Sequence, residues 1–108
     1  MEIKALNTIP EGSAKVFHAS KDDNERTFRC ELHEGVNGFT LAGTEALTLR
    51  YLKPNKEIGS VPVANAGGDY VDITVPDEMT DIVGVVYCKL RINGIGAKSL
   101  YLSIEQEV

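Results

Sequence analysis

Gly84-Val85-Val86-Tyr87-Cys88-Lys89-Leu90-Arg91-Ile92, followed after a connector by Leu100-Tyr101-Leu102-Ser103-Ile104, decides the fold. In the first run Val86, Cys88, Leu90 and Ile92 occupy every second position, and in the second Leu100, Leu102 and Ile104 do the same. Successive side chains of a strand point to opposite faces, so each run offers one apolar face to a core and one face to solvent. Asn93-Gly94 has the chemistry of a two-residue hairpin turn. That turn, however, would set Leu100 opposite Tyr87, and a one-residue slip exchanges the two faces. A three-residue loop, Asn93-Gly94-Ile95, restores agreement. Cys88 then faces Leu100, Val86 faces Leu102, and Tyr87 meets Tyr101 on the outside. The odd-length loop is the expectation.

The same grammar extends outward along the chain. Residues 26–32 alternate Phe28, Cys30 and Leu32 with Thr27, Arg29 and Glu31. Residues 45–53 place Leu47, Leu49 and Tyr51 on one side, and residues 70–75 place Val71, Ile73 and Val75. Weaker strand patterns lie at 3–6, 14–19 and 60–63. Polar or glycine-rich connectors separate them: Lys21-Asp22-Asp23-Asn24, Pro54-Asn55 and Ala66-Gly67-Gly68-Asp69. Pro76-Asp77-Glu78-Met79-Thr80-Asp81 reads as one short helical turn, with proline and acids at its start. The expected fold is all-β, an immunoglobulin-like antiparallel β-sandwich with that single helical turn crossing between sheet edges. The 108 residues form one domain, 1–108, with 1–13 an arm or edge strand.

Composition narrows the function classes. An apolar fraction of 43% is that of a globular chain. The net charge is −5 and no basic stripe interrupts it, which argues against nucleic acid and against an anionic membrane surface. Met1-Glu2-Ile3-Lys4 does not open a signal segment, and no apolar run approaches the roughly 20 residues that span a bilayer. A protein made and kept in the cytosol until lysis is expected. Cys30 and Cys88 are spaced like an immunoglobulin cross-sheet disulfide, but the tryptophan of that pattern is missing. They read as free, buried thiols.

No motif specifies catalysis, a metal or a cofactor. His33-Glu34 starts like a zinc-protease helix, yet Asn37 stands where the second histidine belongs. Asp22, Asp23 and Asn24 are consecutive, without the alternation of a calcium loop. Residues 94–99 resemble a phosphate loop but lack glycine before Lys98 and lead into a strand. Both cysteines fall on inward faces, and Asp77, Glu78 and Asp81 on an exposed turn, so no nucleophile or acid–base pair emerges. The remaining candidate is a surface. Val85, Tyr87, Lys89, Arg91 and Tyr101 share the outward face of the last hairpin, and aromatics beside cations suit a protein interface.

In order and spacing the sequence resembles the N-terminal domain of the upper baseplate proteins of phages that infect Gram-positive bacteria. The stretches that carry the resemblance are Asn24-Glu25-Arg26-Thr27-Phe28, Gly38-Phe39-Thr40-Leu41 and Leu47-Thr48-Leu49-Arg50-Tyr51. Gly68-Asp69-Tyr70-Val71, the turn from Pro76 to Asp81, and the closing strands follow in the same order. The resemblance covers the chain from about Ala14 onward. It implies a structural, non-enzymatic component of a virion tail, made in the bacterial cytoplasm and linking tail and receptor-binding proteins. It also implies a homo-oligomer, three copies being the expected number. Members of that family continue into helical, fibrous or receptor-holding regions, whereas this sequence ends at Val108, as a short prophage relative or a piece of a longer protein would. The competing classes are a carbohydrate-binding module and an immunoglobulin-like adhesin domain, the latter requiring a Cys30–Cys88 bridge.

Overall fold

The computed structural model describes residues 2–7, 15–22, 26–34, 37–93 and 95–106. Nine strands follow one another: β1 (Ile3–Asn7), β2 (Lys15–Ser20), β3 (Thr27–Glu34), β4 (Asn37–Gly38), β5 (Leu47–Leu52), β6 (Ile58–Val63), β7 (Tyr70–Thr74), β8 (Gly84–Ile92) and β9 (Ile95–Glu105). Among the described residues a single 3₁₀ turn, Asp77–Met79, joins β7 to β8. Two sheets form an all-β sandwich. The large sheet has the order β2-β9-β8-β5-β6; the small sheet runs β1-β3-β4, with β7 also paired to β3. The helical turn therefore carries the chain from the small sheet to the large one.

The inward residues are those the alternation picks out. Phe28, Cys30, Leu32, Val71 and Ile73 of the small sheet face Leu47, Leu49, Val86, Cys88, Leu90, Leu100, Leu102 and Ile104 of the large one, all buried. Phe17 of β2 stacks on Phe28 of β3, with ring centroids 4.1 Å apart and planes at 25°. That contact fastens one sheet to the other. Met79 and Thr80, fully buried, tuck the helical turn against the end of this core.

The sheets are mixed, which strand alternation did not disclose. β1 lies parallel to β3 and β2 parallel to β9, each adding one parallel pair to an otherwise antiparallel sheet. β6 closes the large sheet at its edge and contains Pro62, whose missing N–H is harmless only where no further strand must pair. Gly59 of β6 lies opposite Tyr51, whose ring crosses so closely that a Cβ there would fall 2.3 Å from its Cζ.

The last hairpin corrects one expectation and keeps its consequence. Cys88 pairs with Leu100, Val86 with Leu102 and Tyr87 with Tyr101, as the burial argument requires. The loop nevertheless has two residues, because Ile92 already pairs with Ile95. The one-residue offset sits instead in a β-bulge, where the register shifts between Lys89, opposite Ser99, and Arg91, opposite Gly96. A bulge adds a residue to one strand, and so changes parity without lengthening the turn. Gly94 itself, like Asp23 and Asn24 of the expected polar connector, lies outside the described residues.

Candidate functional site

The outward face of the large sheet is assembled from all five of its strands. Val85, Tyr87, Lys89 and Arg91 come from β8, and Tyr101 from β9, so the five candidate residues share one face. Tyr87 is 52% exposed, and its ring meets that of Tyr101 edge-on, with centroids 5.0 Å apart and planes at 86°. Edge-to-face contact is a favoured aromatic geometry and fixes both rings beyond what area alone would do.

Sequence reading missed the neighbours that complete the face. Val16 of β2 pairs with Tyr101, Tyr87 with Leu52 of β5, and Leu52 with Ile58 of β6. Ile58 is 68% exposed, the highest value among the large apolar side chains of the described residues. Two residues along the strands, on the same face, Arg50 lies opposite Lys89. Arg50, Leu52, Ile58, Tyr87, Lys89 and Tyr101 line a shallow groove of about 370 Å³. Arg50 and Leu52 carried a readable signal, since both stand at outward-facing positions near the Leu47–Leu49–Tyr51 alternation. What was not readable is that β5 is the strand beside β8.

Other polar groups are committed to holding the fold. The Lys53 side chain, 5% exposed, lies 2.8 Å from Asp81 and 3.7 Å from Glu57, tying the helical segment to the β5–β6 hairpin. Its hydrogen bond to Asp81 raises the ammonium above its ordinary value. The Glu45 carboxylate accepts bonds from the backbone N–H groups of Ala42 and Gly43 and from the Asn65 amide. These donors, Ala42 foremost, pull it down to about 2. A carboxylate so used is a loop cap, not an acid poised to give a proton.

A second hollow, of about 240 Å³, lies between Glu2, His18, Arg26, Thr27 and Phe28. There the Glu2 carboxylate accepts the His18 backbone N–H at 2.5 Å and stands 3.0 Å from Nδ1. Burial pushes Glu2 up, but the two bonds to His18 outweigh it and hold the carboxyl below its ordinary value. The pair joins the start of β1 to the edge strand β2.

Cys30 and Cys88 are free, and burial pushes both thiols up to about 12. Neither is a thiolate at neutral pH. His33 and Glu34 lie on β3, so they cannot take the one-turn spacing of a zinc helix. Among the described residues no three His, Cys, Asp or Glu side chains gather where they could hold a metal ion. Among them, too, no helix is long and apolar enough to cross a membrane.

No family model and no curated protein matches the sequence. Among solved structures, the chain is similar to the N-terminal domain of phage TP901-1 ORF48. The TM-score is 0.73 over 95% of this chain and 98% of that one, with 12% of residues identical. At that identity the likeness is one of fold.

Proposed function

We propose that this chain is a non-enzymatic structural domain of a bacteriophage or prophage tail baseplate or fibre. It joins other tail proteins, receptor-binding proteins among them, through the outward face of its large sheet. The observation that carries this reading is the five-strand apolar row with its adjoining cations, which the described residues leave at least partly uncovered. A shared fold with a phage domain, and the resemblance of the sequence to upper baseplate proteins, supply the setting. The buried thiols and the capped or paired carboxylates support a role without catalysis. In this reading the protein is made in the host cytoplasm, is carried in the virion tail, binds no nucleic acid and inserts into no membrane.

The test is direct. Immunogold labelling of virions from the producing strain, with antiserum against this domain, is expected to mark the end of the tail distal to the head. Particles without label would overturn the reading. Light scattering after size exclusion tests the homo-oligomer, for which three copies of the 11.8 kDa chain are expected. A monomeric mass removes self-association from the proposal.

A further inference from the structure

We infer that the outward face of the large sheet docks a partner protein surface whose apolar side chains are flanked by carboxylates. The inference rests on reading this face as an interface and adds the chemistry of what covers it.

Val16, Tyr101, Tyr87, Leu52 and Ile58 stand side by side, in register, across β2, β9, β8, β5 and β6. With neighbouring strands ~4.8 Å apart, the row is about 19 Å long. It is long enough to seat several apolar side chains of a partner. Two residues along the strands, on the same face, Arg50 of β5 is set directly opposite Lys89 of β8. Like charges at opposed positions weaken strand pairing. Among the described residues neither of these two cations forms an ion pair. Their outer strand partners are Ser60 and Ser99, so no carboxylate completes the row. Two opposed cations beside an apolar row work against the free domain. A partner's negative charge would reverse that balance.

The same geometry disfavours other occupants. A second copy docked by a two-fold axis running along the strands would bring the same patch against itself, cations facing cations. A sugar ring stacks on a flat aromatic platform, and Tyr87 and Tyr101 stand at 86° to each other. Carboxylates flanking an apolar surface satisfy both the Arg50–Lys89 pair and the row.

The experiment titrates the isotope-labelled domain with two amphipathic peptides that share one leucine face, flanked by glutamates in one and by lysines in the other. The glutamate peptide is expected to shift the amide signals of Val16, Leu52, Ile58, Tyr87 and Tyr101, and to weaken as salt is added. The lysine peptide is expected to bind at least about tenfold more weakly, the size of one unfavourable charge contact. Lys89→Glu separates binding from folding. Opposite Arg50 the new carboxylate makes a favourable cross-strand pair, so the thermal midpoint rises by roughly 1–5 °C. Affinity for the glutamate peptide falls at least about fivefold. A purely structural Lys89 would show the gain in stability without the loss of binding. The inference is overturned if the two peptides bind alike, if neither binds, or if Lys89→Glu leaves affinity unchanged. It is also overturned if heparin occupies the same amides more tightly, which would make the face a site for sulfated glycans. None of these outcomes bears on labelling of the virion, so the two proposals fail separately.

Discussion

On the outward face of the small sheet, Arg29 stands opposite Asp72 and donates to both of its oxygens, at 2.7 and 3.0 Å, with its guanidinium 3.8 Å over the Tyr70 ring. On the outward face of the large sheet, Arg50 stands opposite Lys89, beside a row of exposed and half-buried apolar side chains. Both arrangements are directly opposed pairs in antiparallel ladders, β3 with β7 in the small sheet and β5 with β8 in the large one. In the first, register alone completes the electrostatics, and Thr27 and Thr74 close the next position at 3.0 Å. In the second, register juxtaposes groups that repel. A charged pair satisfied within its own face gains little from a partner, whereas one that is not is where association can gain. The difference supports the proposal that the large sheet, rather than the small one, presents the contact surface.

Both faces rest on a single core, and the largest effect comes from breaking it. Phe28 of the small sheet stacks on Phe17 of the large one. Phe28→Ala is expected to lower unfolding stability by about 3–5 kcal/mol, the range for deleting a buried phenylalanine. Chemical denaturation followed by tyrosine fluorescence and by circular dichroism should move together. A loss under about 1 kcal/mol, or two separate transitions, would mean that each sheet is held by its own contacts.

The small face supplies the next effect. Asp72→Ala removes the partner that Arg29 grips, and the pair is about a third exposed on each side. A bidentate but partly solvated pair sets the expected loss at about 1 kcal/mol. The contrast lies in sign. Asp72→Ala destabilises, while Lys89→Glu on the other face stabilises. Two changes of the same sign would erase the distinction between the faces.

What could be read in the sequence follows from what alternation encodes. Period two in 84–92 and 100–104 identifies inward and outward residues, and a hairpin joining the two runs puts Tyr87 and Tyr101 on one surface. The demand that Cys88 face Leu100 even fixes the parity of the last hairpin. It does not say where the odd residue goes, and the chain puts it in the bulge near Lys89 rather than in the turn. Alternation carries no direction either, so the parallel placement of β1 on β3 and of β2 on β9 was not legible. The candidate site suffered most from this. Its opposed cations meet only because β5 pairs with β8 across the intervening β6, β7 and helical turn, a non-local choice made by packing of the whole core.

The smallest effect is the most discriminating, because acid acts on the two faces differently. The Asp72 carboxyl, held by its bonds from Arg29, lies below its ordinary value of 3.8. A depressed carboxyl contributes stability that is present above 3.8 and is lost as pH falls through the lower folded value. The stability gap between the wild type and Asp72→Asn should therefore close in acid. The wild-type Arg50–Lys89 pair has no carboxylate to titrate and should show no such closing. Lys89→Glu transplants the device from one face to the other. Its gain has two sources, relief of repulsion and new attraction to Arg50, and Lys89→Gln retains only the first. Thermal midpoints measured from about pH 7 to pH 2 should show Lys89→Glu ahead of Lys89→Gln by about 1–2 °C at neutral pH. The two should converge as the new carboxylate is protonated. If they are equal at every pH, Arg50 does not feel charge at position 89, and the cationic ridge on which the docking surface depends is only two long side chains pointing apart into water.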